Sequence, residues 1–252
     1  MIKRTLLLLS SLLMCSAALA LDDATSSGAL TMVVGNHMTT SDEVLPGNDW
    51  LSLHCDSSGC RLLPATVTIG GEEPTNRDSM EMTLHRVHFA NVGQEDTTGA
   101  EVWFRRNARF PWLKTGPLVT YTATEGPVDV VPDLSTKSVT VPLADRTVTL
   151  MPLLDVEHRQ IPLQLREPKQ RQMLEDMTAC LAGTGYLRWS GDLDADGRPD
   201  YLIDYPRAST GTHAVLYLSS MASRGQLVGT GAVFDSVVGF NGCDDSGWFG
   251  ER

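Results

Sequence analysis

From residue 29 to about 165 the chain is a succession of short runs in which β-branched, aromatic and aliphatic residues alternate with polar ones, punctuated by glycine and proline. Alternation with period two puts one side of a run in a core and the other in water, which the helical period cannot do with the same residues. Leu30 to Val34, Trp50 to Leu53, Ala65 to Ile69, Met80 to Phe89, Glu101 to Phe104 and Leu118 to Thr124 are runs of this kind. Val139-Thr-Val141 and Thr147-Val-Thr-Leu150 flank Leu143-Ala-Asp-Arg146 as a hairpin. Breaks fall at Pro46-Gly47, Gly70-Gly71, Gly116-Pro117 and Gly126-Pro127. Short strands at this spacing predict an antiparallel sandwich or barrel over residues 21–165, after a polar lead at 21–28.

The C-terminal third reads differently. Glu167-Pro168 suits a helix start, with proline at the first helical position. Met173, Leu174, Met177, Cys180 and Leu181 then recur at three- and four-residue steps, and Gly183 supplies a stop. Strand patterns resume at Tyr186 to Trp189, Tyr201 to Tyr205, Val215 to Leu218 and Gln226 to Phe234. The expected fold class is mainly β with one helix: the sandwich or barrel, followed over 166–252 by a small helix-plus-strands subdomain.

Between two of those strands lies Asp192-Leu-Asp-Ala-Asp-Gly-Arg-Pro-Asp200. Aspartates stand at positions one, three, five and nine, with glycine at six. Alternate positions of a tight loop aim their carboxylates inward, and Gly197 accepts the left-handed backbone such a turn needs. Calcium takes six to eight oxygen ligands, so Asp192, Asp194, Asp196, Asp200 and the backbone carbonyl of Arg198 form a candidate calcium site. Magnesium prefers fewer protein ligands and stricter octahedral geometry. Position twelve is Ile203, where an EF-hand needs glutamate. The stretch WSGDLDADGRPDYLIDY instead resembles the calcium loop of FG-GAP/VCBS repeats, which run strand, Asp-rich loop, strand. The resemblance covers residues 186–220 and implies calcium at Asp192, Asp194, Asp196 and Asp200. That family builds propellers from several such loops, whereas this sequence has one, so no propeller is expected. Single loops of this kind also resemble those of exported bacterial proteins with a β-rich N-terminal region.

The first twenty residues read as a secretory signal peptide: Lys3 and Arg4, an apolar run from Leu6 to Leu13, then Ala18-Leu19-Ala20. The run is shorter than the ~20 residues of a membrane span, and Met14 before Cys15 is too large for a lipoprotein cleavage site. The expected location is periplasmic or secreted. The chain has 20 basic and 31 acidic residues, a net charge of −11, which becomes −13 without Lys3 and Arg4. Such a surface repels nucleic acid and anionic membranes and attracts cations. Four cysteines remain after the leader, and an oxidising compartment suggests two disulfides. Three pairings exist. Spacing favours Cys55 with Cys60, across the turn-forming Asp56-Ser-Ser-Gly59, and Cys180 with Cys243. A zinc site at Cys55, Cys60 and His54 lacks the spacing of a finger.

No Gly-x-Ser-x-Gly, His-Glu-x-x-His, Walker or dinucleotide-binding motif is present. His85 and His88 lie in an expected strand, where a spacing of three puts them on opposite faces. Trp103, Phe104, Phe110 and Trp112 beside Arg105, Arg106 and Arg109 suit either a core or a strip that binds a glycan or an envelope protein. His54 beside Cys55 suits a thiol–imidazole pair only if Cys55 is reduced, which the expected disulfide opposes; His158 reads as exposed, and Asp244, Asp245 and Glu251 read as solvated charges rather than an extension of the metal site. Together the residues predict an exported calcium-binding β-rich protein with a structural or binding role. The alternative is an exported hydrolase in which calcium is only structural.

Overall fold

The computed structural model describes residues 29–35, 38–39, 44–56, 58–77, 80–91, 100–123, 138–143, 145–153, 160–178, 186–206 and 212–235. Nearly all of them are in antiparallel β structure. Eleven strands form one large sheet. They are β1 (Met32–Val34), β2 (Met38–Thr39), β3 (Gly47–Asp56), β4 (Gly59–Arg77), β5 (Met80–Asn91), β6 (Ala100–Arg105) and β7 (Gly116–Ala123), then β12 (Leu187–Asp192), β13 (Asp200–Pro206), β14 (Thr212–Leu218) and β15 (Gly229–Asp235), with β2 and β5 off the main path. That path runs β1-β6-β3-β4-β7-β12-β13-β14-β15. Its two ends meet where the Leu30 N–H donates to the Gly231 carbonyl at 2.9 Å. The sheet is therefore a nearly closed barrel, one of the two architectures expected. β7 precedes residue 165 and β12 follows it, yet they pair side by side in this sheet.

A second sheet of four strands has the order β11-β10-β9-β8, with β8 (Val139–Pro142), β9 (Thr147–Pro152), β10 (Gln160–Arg166) and β11 (Arg171–Thr178). The β8–β9 hairpin stands where expected, closed by the Leu143 N–H donating to the Arg146 carbonyl at 2.8 Å. The expected helix does not form. Pro168 sits instead inside a tight turn in which Glu167 and Gln170 exchange backbone hydrogen bonds of 2.9 and 3.4 Å. Proline fixes φ near the value the second residue of a β-turn requires. The chain then returns as β11 along β10, with Leu174 buried and Met173 exposed. Met173 and Leu174 fit a helical stripe and a strand equally well on spacing. The partner run Ile161-Pro-Leu-Gln-Leu165, whose Leu163 and Leu165 are buried, decides for the strand. Cys180, Leu181 and Gly183 lie outside the described residues.

Two cores result. Inside the barrel, Trp50, Trp103, Trp189, Leu202, Leu216 and Leu218 pack together, and Phe89 stacks on Trp103 with centroids 4.0 Å apart. Between barrel and small sheet lie Val148, Leu150, Leu163, Leu165, Tyr201, Ile203, Val215 and Tyr217. β13 and β14 thus serve both cores. Leu202, Ala214 and Leu216 point into the barrel, while Tyr201, Ile203 and Val215 point out to the small sheet. This is why Ala214-Val-Leu-Tyr-Leu218 is a continuous apolar run, the signature of a strand covered on both faces. The Gln172 side chain ties the small sheet down further. It accepts the N–H groups of Leu227 (2.7 Å) and Val228 (3.0 Å) and donates to the Val228 carbonyl (2.9 Å).

Cys55 and Cys60 face each other across the β3–β4 pair and are disulfide-bonded. Such a bond suits a chain that folds in an oxidising compartment. The expected Cys180–Cys243 bond lies outside the described residues. Among the described residues no helix is long and apolar enough to cross a membrane.

Candidate metal centre

The Asp192–Asp200 loop joins β12 to β13, at the end where Gly191 pairs with Asp200. The β7–β12 pairing shifts register between Ser190 and Gly191, where Tyr121 is the extra residue on β7, and Asp192 still pairs with Val119. Gly191 is required there by space. A Cβ would stand 2.2 Å from the Trp189 ring and 2.3 Å from the Val119 carbonyl.

Beyond Asp192 the chain curls on itself. Ala195 and Gly197 both adopt positive φ, 60° and 80°. Glycine does so freely, whereas alanine pays a steric cost. The curl aims backbone N–H groups at the first aspartate. Asp192 accepts from Asp196 (3.0 Å) on one oxygen and from Gly197 (2.9 Å) on the other. Asp194 accepts a second, longer contact from the Asp196 N–H at 3.3 Å, and Asp196 accepts from the Arg198 N–H at 2.8 Å.

Asp200 opens β13 and is fully buried. One oxygen accepts the Leu193 N–H and the other the Ser219 N–H, each at 2.8 Å. It therefore fastens the start of the loop to the short 3₁₀ turn Ser219–Met221 that follows β14. That turn also contributes its hydroxyls. Ser219 donates to Asp196 at 2.7 Å and Ser220 donates to Asp194. The Arg198 guanidinium donates away from the carboxylates, to the Leu227 carbonyl at 3.2 Å.

Oxygens of Asp192, Asp194 and Asp200 all lie within 4.8 Å of one another. The structure thus brings together three of the four predicted carboxylates. Asp196 stands at the rim, exposed and held by Ser219. Burial, the foremost cause, with the charges of Asp194 and Asp196 added, pushes the Asp200 carboxyl up to about 7, against the pull of its two N–H donors. Burial also raises Asp194, and the neighbouring Asp196 and Asp192 carboxylates add to it. Shared hard oxygens of like charge, partly withdrawn from water, are what a divalent cation such as calcium relieves. The donor set fits a metal ion.

Ser219 and Ser220 were not legible as site residues. They lie 19 to 26 positions from their partners and carry no motif. The β13–β14 hairpin alone delivers them.

Other candidates resolve differently. Trp103, Phe104 and Phe110 are buried, so they are core, and Arg105 pairs with Asp49 at 2.8 Å. His88 is exposed while His85 shares the side of buried Val87 and Phe89, on opposite faces as expected. His54 lies 3.8 Å from Asp56, beside the disulfide. His158, Asp244, Asp245 and Glu251 lie outside the described residues. Comparison with protein-family models, with curated proteins and with solved structures gave no match for the chain.

Proposed function

We propose that this is an exported β-barrel protein whose Asp192–Asp200 hairpin binds calcium, in a structural or binding role rather than a catalytic one. The observation that carries the reading is the convergence of Asp192, Asp194 and Asp200 within 4.8 Å on one hairpin. Three carboxylates held that close repel one another unless a cation lies between them. The oxygen supply favours calcium over magnesium. Asp196 at the rim and the Arg198 carbonyl at the seventh position would raise the ligand number beyond what magnesium takes from a protein. The single loop resembling FG-GAP/VCBS repeats supports the same ion.

Binding would cross-link three elements. The hairpin, β13 and the Ser219–Met221 turn already share hydrogen bonds through Asp200, Asp194 and Asp196. A cation at their common carboxylates would stiffen that junction, which abuts the Leu227–Val228 segment held by Gln172 and Arg198. Export is supported by the leader-like first twenty residues and by the disulfide. The test is calorimetric titration of the metal-stripped protein with calcium and, separately, magnesium. Saturable calcium binding at one site, with magnesium at least tenfold weaker, is expected. No heat with calcium would refute the proposal.

A further inference from the structure

A second polar cluster lies on the outer side of the barrel, away from the aspartate hairpin. His213, on β14, is 5% exposed. Its Nδ1 lies 2.6 Å from a carboxylate oxygen of Asp235, its register partner on β15. Its Nε2 lies 2.7 Å from a carboxylate oxygen of Glu175, on β11 of the small sheet. Glu175 reaches it because β11 carries an extra residue. Between the pairs Asp176–Pro162 and Met173–Gln164, the two residues Leu174 and Glu175 oppose the single Leu163, so buried Leu174 and Glu175 both turn toward the barrel.

An ionised carboxylate can only accept hydrogen bonds. A ring held between two of them at these distances must donate from both nitrogens, so the trio is complete only when the imidazole carries two protons. A neutral ring has one N–H. Its other nitrogen would then present a lone pair to a carboxylate oxygen at 2.6 or 2.7 Å, and that contact has to open. We propose that Glu175, His213 and Asp235 form a proton-dependent latch between barrel and small sheet, closed by imidazolium and released on the Glu175 side when the ring loses a proton.

The choice of side follows from the architecture. Asp235 is a backbone-paired neighbour of His213 in the same sheet, whereas Glu175 belongs to another sheet and its side chain is 45% exposed. Among the described residues, the other groups facing the ring are tyrosines. Tyr205, opposite His213 on β13, has its ring centroid 5.6 Å away, and its hydroxyl is 2.8 Å from that of Tyr217. Burial pushes Tyr217 up to about 12 and Tyr205 higher still, so both hydroxyls keep their protons across the range in which the latch acts. Asp176, beside Glu175, is exposed, and Asp204 on β13 is paired with Arg188.

The experiment is amide hydrogen exchange of the whole protein at pH 6 and pH 8.5, corrected for intrinsic exchange, read on peptides covering 171–178 relative to barrel peptides covering 47–56, which report any global change in stability. In the parent protein β11 should lose protection three- to tenfold at the higher pH. Glu175→Gln is the discriminating variant. Its amide can accept from an N–H or donate to a bare ring nitrogen, so β11 should be equally protected at both pH values. The exposed position of Glu175 lets this variant fold. Unchanged β11 protection in the parent protein, or the same pH dependence in E175Q, would overturn the latch.

Discussion

Replacing Asp194 by asparagine separates the charge of the loop from its geometry. The Asp194 carboxylate accepts the Asp196 N–H and the Ser220 hydroxyl. An asparagine can keep both contacts, because its oxygen accepts from the N–H and its NH₂ donates to a rotated hydroxyl. What it removes is one negative charge from two of the three close carboxylate pairs. At 4.8 Å such a pair costs about 0.9 kcal/mol in bulk water and about 3.5 kcal/mol at an effective dielectric of 20. Asp194 is half-buried, so the lower figure governs, and at pH 8.5, where Asp200 is ionised, the metal-free variant should be stabilised by about 2 kcal/mol. For a chain of this size that is a rise in Tm of about 4–8 °C. Calcium should reverse the order. At a free concentration one hundred times Kd the parent gains about 2.7 kcal/mol, and a hundredfold weaker variant gains about 0.4 kcal/mol. Thermal unfolding followed by tryptophan fluorescence, in metal-stripped buffer and over a calcium series, reads both. The reasoning fails if Asp194→Asn lowers Tm without metal, or if calcium raises Tm of variant and parent alike.

Three further outcomes follow from the same hairpin. In metal-free buffer the Asp200 carboxyl, raised to about 7 from 3.8, binds its proton more tightly folded than unfolded. Stability should therefore fall as pH rises from about 4 to 7, by on the order of 4 kcal/mol, and saturating calcium should flatten or invert this slope. Chemical denaturation at pH 5 and pH 7.5 measures it, and a metal-free protein no less stable at pH 7.5 would contradict it. Ala195→Gly should leave calcium affinity near that of the parent and raise stability by about 0.5–1 kcal/mol, since it relieves a left-handed alanine; a loss of stability would show that the strain argument is wrong. Gly191→Ala should cost at least 2 kcal/mol, because the new methyl group meets the Val119 carbonyl as well as the buried Trp189 ring, and a denaturant midpoint within error of the parent would refute the contact.

The parts of this fold that were legible in the sequence are those whose cause is local. Alternation reports burial directly, so strands such as Trp50–Leu53 and Val139–Val141 fall within β3 and β8. The aspartate loop was legible because its aspartates and its glycine are contiguous. The segment after Pro168 was misread because Met173, Leu174 and Met177 satisfy a helical stripe, and only pairing with the run 161–165 decides against it. The barrel closure, the Ser219–Ser220 contacts and the His213 trio depend on residues far apart in sequence. No window of the chain contains them. β14 was visible as a strand, but that its two faces serve different cores follows only from where the small sheet docks.

The seam between β1 and β15 also orders assembly in time. The first strand of the ring depends on a neighbour synthesised about 200 residues later, and joining distant segments carries the entropy cost of a long loop. A chain emerging from its N-terminus cannot seal the cylinder until its last third has arrived, so sealing waits for the segment that also holds the aspartate hairpin. Until then Leu30, Met32 and Val34 have no complete interior to enter, and a truncation that removes β15 should leave a sticky, open-sided precursor rather than a smaller native protein.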